Sequence, residues 1–374
     1  MRPRSSDEEG TTGNAMKLSY RENYLRAVRF QDPEHIPGNV GVRSDGWARY
    51  GNALNELYQK YHGYRPYADE QIPQPDPARI DTQGNYHHLW TDEWGCLMEE
   101  RVFGIHPMIV GYPLADWSAL KDYRPPAGAD LLTGAIEEEK TKVEACKNGG
   151  GLVIQDFLRL FERMQWLRGD ENLFIDIADD AEELHRLADM IVAHNLTWIE
   201  RSIAVGADGV CFSDDWGTQQ ALLINPVQWR RFFKPLYRQM FAPLKNAGML
   251  VYFHSDGCIL DIIPDLKEIG VDILNPQTNC MDLEALGKLC LELRLCINAD
   301  IDRQGALAFG TPDDVRAYFD RLVRFIGSPA GGLMFSCECG ADTPLANIEA
   351  AMQAVKAYQE PVYRRKTNDV LRSD

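Results

Sequence analysis

Short apolar runs alternate with segments of helical periodicity through most of the chain after residue 130. The apolar runs have strand character and lie at 152–154, 209–212, 249–253, 271–274, 294–297 and 331–335. Between them, apolar residues recur at helical spacing, most clearly over 180–205 and 312–326. Strands that alternate with helices of about 10–20 residues predict parallel βαβ units.

The region before residue 125 has a different pattern. Ser19 and Glu22 have capping-box spacing and begin a predicted helix over 19–30. Aromatic and polar residues alternate over 86–112, which predicts two short antiparallel strands. We also expect this region to supply two further strands of the main sheet, one from 36–42 and one from part of 86–112.

These strands predict an α/β fold, a (β/α)8 TIM barrel with an N-terminal helical and β-hairpin elaboration. An open doubly wound sheet is the alternative, but the chain has neither a Gly-rich dinucleotide fingerprint nor a phosphate loop. Polar residues follow the predicted strands, as expected for the C-terminal mouth of a barrel. We expect the barrel to span 17–360, between a disordered extension at 1–16 and a polar tail at 361–374.

Charge and cysteine content narrow the class of protein. The 39 basic and 56 acidic residues give a net charge of −17, which argues against nucleic acid or an anionic membrane as partner. No apolar run approaches the length of about 20 residues that crosses a bilayer. The nine cysteines are odd in number and scattered, which is typical of reduced thiols. These features predict a cytoplasmic protein, either a monomer or a homodimer.

The strand at 249–253 ends in the most informative group of residues, His254-Ser-Asp-Gly257. Side chains two apart in a strand share one face, so His254 and Asp256 enter the same cavity if the strand continues this far. The alternative is an Asp-Gly turn beside a histidine that bonds to a backbone carbonyl.

Cys337 and Cys339 have the same spacing at the end of the last strand. Thiolate and imidazole form a donor set that Zn²⁺ favours, and a catalytic zinc site keeps three protein ligands and one open position. We expect His254 and Cys339 to be ligands, with Asp256 and Cys337 competing for the third place. The alternative is that both cysteines are small apolar core residues.

Other strand ends supply candidate substrate-binding residues. They are Asp156, Phe157, Trp216, Gln219, Tyr252 and Asn275. Core packing is the commoner use of the aromatic members. Asp214 and Asp300 are candidate catalytic carboxylates, although one of the pair Asp214 and Asp215 is expected to serve as a helix cap.

The chain resembles the uroporphyrinogen decarboxylase superfamily over about residues 17–360. The residues that carry the resemblance are Asp214-Asp-Trp-Gly-Thr-Gln-Gln, Trp229-Arg-Arg-Phe-Phe-Lys-Pro, His254-Ser-Asp-Gly, Ile263-Pro-Asp-Leu, Gly270-Val-Asp-Ile-Leu-Asn-Pro and Thr343-Pro-Leu-Ala-Asn-Ile. The resemblance implies a (β/α)8 barrel with its active site at the C-terminal mouth.

The superfamily contains metal-free decarboxylases and zinc-dependent methyltransferases that work with a corrinoid protein. Residues 38–51 contain Arg43 and Arg49 but do not reproduce the decarboxylases' Arg-x-Ala-Gly-Arg-Tyr motif. The decarboxylases end the last strand in His-Gly and the methyltransferases in Cys-Gly, and this chain has Cys339-Gly340. The methyltransferases have His-x-Cys on strand five, where Asp256 here replaces the cysteine.

The resemblance therefore implies a methyltransferase with one altered ligand. It would move a methyl group between a small substrate, such as a methoxy-aromatic compound, and a corrinoid protein, with Zn²⁺ as Lewis acid. Asp214 or Asp300 would orient the substrate or donate a proton. The alternatives are a metal-free decarboxylase and a non-catalytic barrel that binds a tetrapyrrole or corrinoid.

Overall fold

The computed structural model describes residues 18–126 and 136–359, apart from the side chain of Asp156. Its strands are β1 (Gly38–Val42), β2 (His88–Thr91), β3 (Leu97–Glu100), β4 (Met108–Gly111), β5 (Ile154–Leu158), β6 (Gly209–Ser213), β7 (Leu250–Ser255), β8 (Ile273–Pro276), β9 (Cys296–Asp300) and β10 (Leu333–Cys339). The predicted extension at 1–16 and tail at 361–374 lie outside the described residues.

The helices alternate with the strands along the second half of the chain. They are α1 (Tyr20–Arg29), α2 (Ser44–Tyr50), α3 (Asn52–His62), α4 (Ile136–Asn148), α5 (Phe161–Arg168), α6 (Asp170–Asp179), α7 (Glu182–Val205), α8 (Pro226–Asn246), α9 (Ile263–Ile269), α10 (Leu283–Leu293), α11 (Ala306–Phe309), α12 (Pro312–Ile326) and α13 (Leu345–Gln359). The predicted capping box of Ser19 and Glu22 is present at the start of α1.

Seven strands form one parallel sheet in the order β1-β10-β9-β8-β7-β6-β5. Neighbours in the sheet follow chain order without the reversal that defines a doubly wound fold, and the sheet curls inside its helices. The predicted (β/α)8 TIM-like barrel is thus confirmed. The six strands predicted after residue 150 are all present, and β1 within 36–42 pairs with β10.

The prediction that 86–112 supplies another strand of the barrel is wrong. This segment forms a separate antiparallel sheet in the order β2-β3-β4. The Asp92 side chain accepts hydrogen bonds from the backbone nitrogens of Trp94 and Cys96, which closes a tight turn between β2 and β3. The predicted hairpin exists, therefore, and a third strand enlarges it.

The alternation of side chains along the strands separates two cores. The larger core lies between strands and helices and includes Phe335, Cys337 and Cys339. A smaller core inside the barrel joins the first residues of its strands to α1, which closes the barrel at the end opposite the mouth. Its buried members are Tyr24, Ala27, Val28, Leu250, Ile273, Cys296 and Met334. Consequently, residues of even number in β7, β9 and β10 face inward.

Within residues 18–126 and 136–359, no helix is both long and apolar enough to cross a lipid bilayer. All nine cysteines lie in these ranges as free thiols.

Candidate metal centre at the barrel mouth

Three side chains converge at the C-terminal ends of β6 and β7. An oxygen of Asp215 lies 3.7 Å from Nε2 of His254, and an oxygen of Asp256 lies 3.6 Å from the same nitrogen. One donor atom from each residue lies within 4.8 Å of the other two. In the described part of the chain, no other group of three His, Cys, Asp or Glu side chains has this spacing.

The geometry of this trio fits a divalent cation. Zinc bonds of about 2.0–2.2 Å in a tetrahedral arrangement place two donor atoms about 3.4 Å apart. The two distances from His254 are near that value and too long for direct hydrogen bonds. All three side chains are partly exposed, so an ion can reach them from the mouth. One imidazole and two carboxylates suit Zn²⁺ and other divalent transition metals.

Asn275 determines which nitrogen of His254 faces the carboxylates. The amide nitrogen of Asn275 donates to the backbone carbonyl of Asn298 at 2.6 Å, which fixes the orientation of the amide. Its side-chain oxygen then accepts a hydrogen bond from Nδ1 of His254 at 2.7 Å. The Nε2 lone pair is thereby left free on the side of Asp215 and Asp256. A partner of this kind fixes the tautomer of a metal-binding histidine.

Asp256 has a second partner in Arg303, whose guanidinium donates to both carboxylate oxygens at 2.9 and 3.0 Å. An ionised carboxylate has about four acceptor positions, so this contact leaves room for a metal. Arg303 also lies 3.2 Å from Asp300 and 3.4 Å from Glu338. Burial lowers the pKa of Arg303, but these three carboxylates outweigh it and raise the pKa, which keeps the guanidinium charged.

The structure places Asp300 at the mouth beside this network. Burial raises the pKa of its carboxyl to about 6, against the opposing charge of Arg303. A carboxyl with such a pKa can hold or release a proton near neutral pH. The predicted catalytic role of Asp300 therefore has suitable chemistry and stays a prediction.

Asp214 faces away from the mouth, which corrects its predicted role as a catalytic carboxylate. Its side chain is fully buried on the outer side of β6. It accepts hydrogen bonds from the backbone nitrogens of Leu160 and Glu162 at 2.9 and 2.8 Å, and from the Tyr237 hydroxyl at 2.6 Å. Asp214 therefore caps the start of α5, and Asp215 is the residue that faces inward.

Cys337 and Cys339 also face away from the mouth, and this corrects their prediction as metal ligands. Their sulfur atoms lie 3.7 Å apart in the outer core, and the two residues are 3% and 0% exposed. The hydrogen bond between the two thiols and burial raise the pKa of Cys337, so its thiol stays protonated. Glu338, which alternates with them, is the β10 residue that reaches Arg303.

Trp216 likewise does not line the mouth, contrary to its predicted contact with substrate. It is fully buried, its ring stacks on Phe161 at 4.0 Å between centroids, and its indole nitrogen donates to the Tyr237 hydroxyl. Trp216 is therefore a core residue, and it shares the Tyr237 hydroxyl with Asp214 as a hydrogen-bond partner.

The other predicted substrate contacts have different surroundings. Tyr252 lies one inward position below His254, and its hydroxyl accepts a hydrogen bond from the side chain of Asn298. Phe157 on β5 is 63% exposed. Gln219 accepts a hydrogen bond from the Cys280 thiol at the exposed rim. The side chain of Asp156 lies outside the described structure.

Several charged residues of the mouth were not predicted as site residues. They are Arg43, Glu162, Asp215, Arg303 and Glu338. Asp215 and Glu338 could have been identified from the alternation along β6 and β10, because they continue the inward series. Burial, followed by the charges of Asp215 and Asp214, raises the pKa of Glu162 to about 8. Burial is the larger cause of this shift, and the two neighbouring carboxylates add to it.

The barrel is similar to that of a methyltransferase from Methanosarcina mazei, with a TM-score of 0.63. The comparison covers 92% of this chain and 100% of that one at 16% sequence identity. At this identity the likeness concerns the fold alone.

Similarity in sequence identifies the family. A uroporphyrinogen decarboxylase from Thermus thermophilus is 28% identical over 90 residues, which are 24% of this chain and 25% of that protein. The chain thus matches about a quarter of the length of this curated relative. The sequence profile of the family described as uroporphyrinogen decarboxylase (URO-D) matches residues 165–358, just over half of the 374 residues. The chain belongs to the uroporphyrinogen decarboxylase family.

Proposed function

We propose that this protein is a methyltransferase that moves a methyl group between a small oxygen-containing substrate, such as a methoxy-aromatic compound, and a corrinoid protein. A divalent metal ion, Zn²⁺, would be held by Asp215, His254 and Asp256. The observation that carries the proposal is the convergence of these three side chains on one position at the barrel mouth. Membership of the URO-D family and the likeness in fold to a methyltransferase support it.

The residues of the mouth suit this chemistry. When bound, the metal supplies Lewis acidity that makes a substrate oxygen a better leaving group. Asn275 keeps the Nε2 lone pair of His254 directed to the ion, and Arg303 holds the carboxylate of Asp256 in place. Once the methyl group has passed to the corrinoid, the substrate oxygen would hold the electron pair of the broken carbon–oxygen bond. Asp300 then donates a proton to that oxygen, which its raised pKa permits.

A metal-free decarboxylase is the second candidate, because Arg43 and Arg303 offer guanidinium groups at the mouth that could bind substrate carboxylates. Both groups already have acidic partners in this chain. Arg43 pairs with Asp45 and lies near Glu338, while Arg303 pairs with Asp256. A substrate with several carboxylates would have to displace these partners in an acidic mouth, so we favour the methyltransferase.

The test is methyl transfer from a panel of methoxylated benzoates to free cob(I)alamin, followed by the loss of Co(I) absorbance. We expect activity with added Zn²⁺, loss of activity after chelation, and a loss of about 100-fold or more in His254→Ala. His185→Ala is the matched control, because His185 is an exposed histidine of α7 that bonds to Asp180. Undiminished transfer in His254→Ala would contradict the proposal. Chelator-resistant release of CO₂ from a porphyrinogen substrate would establish the decarboxylase instead.

A further inference from the structure

A cavity of about 530 Å³ lies at the end of the barrel opposite the mouth. Its wall is formed by the C-terminal ends of α1, α8, α9 and α10 and by the starts of β7 and β8. Four cationic side chains line it: Arg29, Lys245, Lys267 and Arg294. Asp272 is the one carboxylate among its lining residues in the described chain.

Asp272 neutralises only part of this charge. It pairs with Lys245 and also accepts a hydrogen bond from the backbone nitrogen of Val251. Lys267 donates to the backbone carbonyl of Arg294 at 3.1 Å, and Arg294 donates to the carbonyl of Arg29 at 3.1 Å. Within the described ranges, Arg29, Lys267 and Arg294 form no ion pair with a carboxylate.

The position of each cation near the end of a helix can be explained by that helix alone. Helix ends do not explain why the four cations line one cavity. A cation at the C-terminal end of a helix complements the dipole and its free carbonyls. That effect does not require cations from several helices to face one cavity, where they repel one another. Burial, with the charges of Lys245 and Arg294, lowers the pKa of Lys267 despite the opposing effect of Asp272. This concentration of positive charge occurs in a chain whose net charge is −17.

We propose that this cavity binds a phosphate-bearing small molecule. The phosphate would lie among Arg29, Lys267 and Arg294, since guanidinium groups bind phosphate with two parallel hydrogen bonds and lysine adds a point charge. The cavity has the volume of a small-molecule site, for which about 300–1,000 Å³ is typical.

The apolar part of the cavity indicates where the rest of the ligand lies. Val28, Phe30, Leu250 and Leu293 form this part of the lining. The guanidinium of Arg294 lies 5.0 Å from the centroid of the Phe30 ring, so one face of the cavity combines an aromatic ring with a cation. The site is remote from His254, and it does not depend on the proposed methyl transfer.

Isothermal titration calorimetry of the full-length chain with inorganic phosphate and with phenyl phosphate tests the proposal. We expect millimolar or tighter binding, with phenyl phosphate bound more tightly than inorganic phosphate because of the apolar lining. Arg29→Gln should weaken binding by about tenfold, and the Arg29→Gln, Lys267→Gln pair by about 100-fold. Arg29 is exposed, so its substitution leaves the fold intact.

Two further variants make the experiment decisive. Lys288→Gln removes the same charge from an exposed position of α10 and should leave the affinity unchanged. His254→Ala should also leave it unchanged, because the mouth lies at the other end of the barrel. Absence of binding in the wild-type chain would overturn the proposal. Equal affinity in wild type and Arg29→Gln, or loss of binding in His254→Ala, would overturn it as well.

Discussion

Nδ1 of His254 lies 2.7 Å from the side-chain oxygen of Asn275, and this contact sets the chemistry of the barrel mouth. The other end of the Asn275 amide is bound to the Asn298 carbonyl on β9, so the ring is held from a neighbouring strand. The nitrogen that faces Asp215 and Asp256 therefore has a free lone pair. This orientation suits the cation that we propose for the site.

Replacement of Asn275 tests this arrangement. In Asn275→Leu the imidazole loses the partner that fixes its tautomer, and we expect the affinity for Zn²⁺ to fall by about 10–100-fold. The measurement is a zinc titration against a chromophoric chelator. Asn279→Leu, at an exposed position four residues further on, is the control and should bind as the wild type does. Identical affinities in all three proteins would show that the Asn275 contact has no role in metal binding.

Replacement of Asp214 should lower the stability of the fold, whereas replacement of its neighbour Asp215 should weaken zinc binding. Asp214→Ala removes a helix cap and leaves the Tyr237 hydroxyl without its acceptor, so we expect a loss of about 2–4 kcal/mol in the free energy of unfolding. Asp215→Ala removes one of the three proposed ligands, which is partly exposed, and should abolish tight zinc binding at little cost to stability. Urea unfolding and zinc titration of both variants measure the two effects. The reverse outcome, with metal binding lost only in Asp214→Ala, would contradict the assignment of faces along β6.

The raised pKa of Glu162 predicts a pH dependence of stability. Its folded pKa of about 8 exceeds the ordinary value of 4.5, so the folded protein binds this proton more tightly than the unfolded chain does. Between these values the unfolded state binds fewer protons, and the free energy of unfolding must fall as pH rises. Glu162 contributes at most about 1.4 kcal/mol per pH unit to this fall.

Urea unfolding of metal-free protein at several pH values from about 5 to about 8 measures this contribution. Glu162→Gln should flatten the dependence relative to the wild type, because glutamine does not titrate. Glu171→Gln, an exposed position on α6, should leave it unchanged. If the free energy of unfolding fell equally with pH in wild type and Glu162→Gln, the Glu162 carboxyl would not be the cause of the pH dependence.

The last strand offers a test of the two cysteines. Cys339→Ala should lower the free energy of unfolding by about 1–2 kcal/mol, because a buried sulfur is lost from the outer core. Zinc stoichiometry should stay unchanged in Cys337→Ser and in Cys339→Ala. Cys146→Ala, at an exposed thiol, provides the control for both measurements. Loss of bound zinc in either core variant would mean that the metal is held by thiolates.

The sequence was sufficient to predict the barrel and the inward direction of His254 and Asp256. Alternating strands and helices are repeated local signals, and the i, i+2 relation follows from strand geometry. The same alternation gives the faces of Asp214, Cys337 and Cys339 only once the ends and the pairing of β6 and β10 are known. These faces depend on how far β6 and β10 continue and on which residue of each strand pairs with its neighbour, and both are set by tertiary contacts.

Contacts between distant segments account for the other residues that the sequence did not predict. Arg303 reaches Asp256 across 47 positions in the chain, and such a pairing leaves no periodic signal. The sequence does not distinguish the antiparallel sheet of β2, β3 and β4 from strands of the barrel, because short alternating strands look alike in either sheet. The turn at Asp92 makes β3 pair with β2 in an antiparallel sheet instead of with a strand of the barrel.

Anomalous X-ray diffraction from crystals grown with Zn²⁺ shows whether Asp215, His254 and Asp256 hold the metal. We expect a peak about 2.1 Å from Nε2 of His254, within bonding distance of carboxylate oxygens of Asp215 and Asp256. A peak between the sulfur atoms of Cys337 and Cys339, or the lack of any peak beside His254, would contradict this assignment.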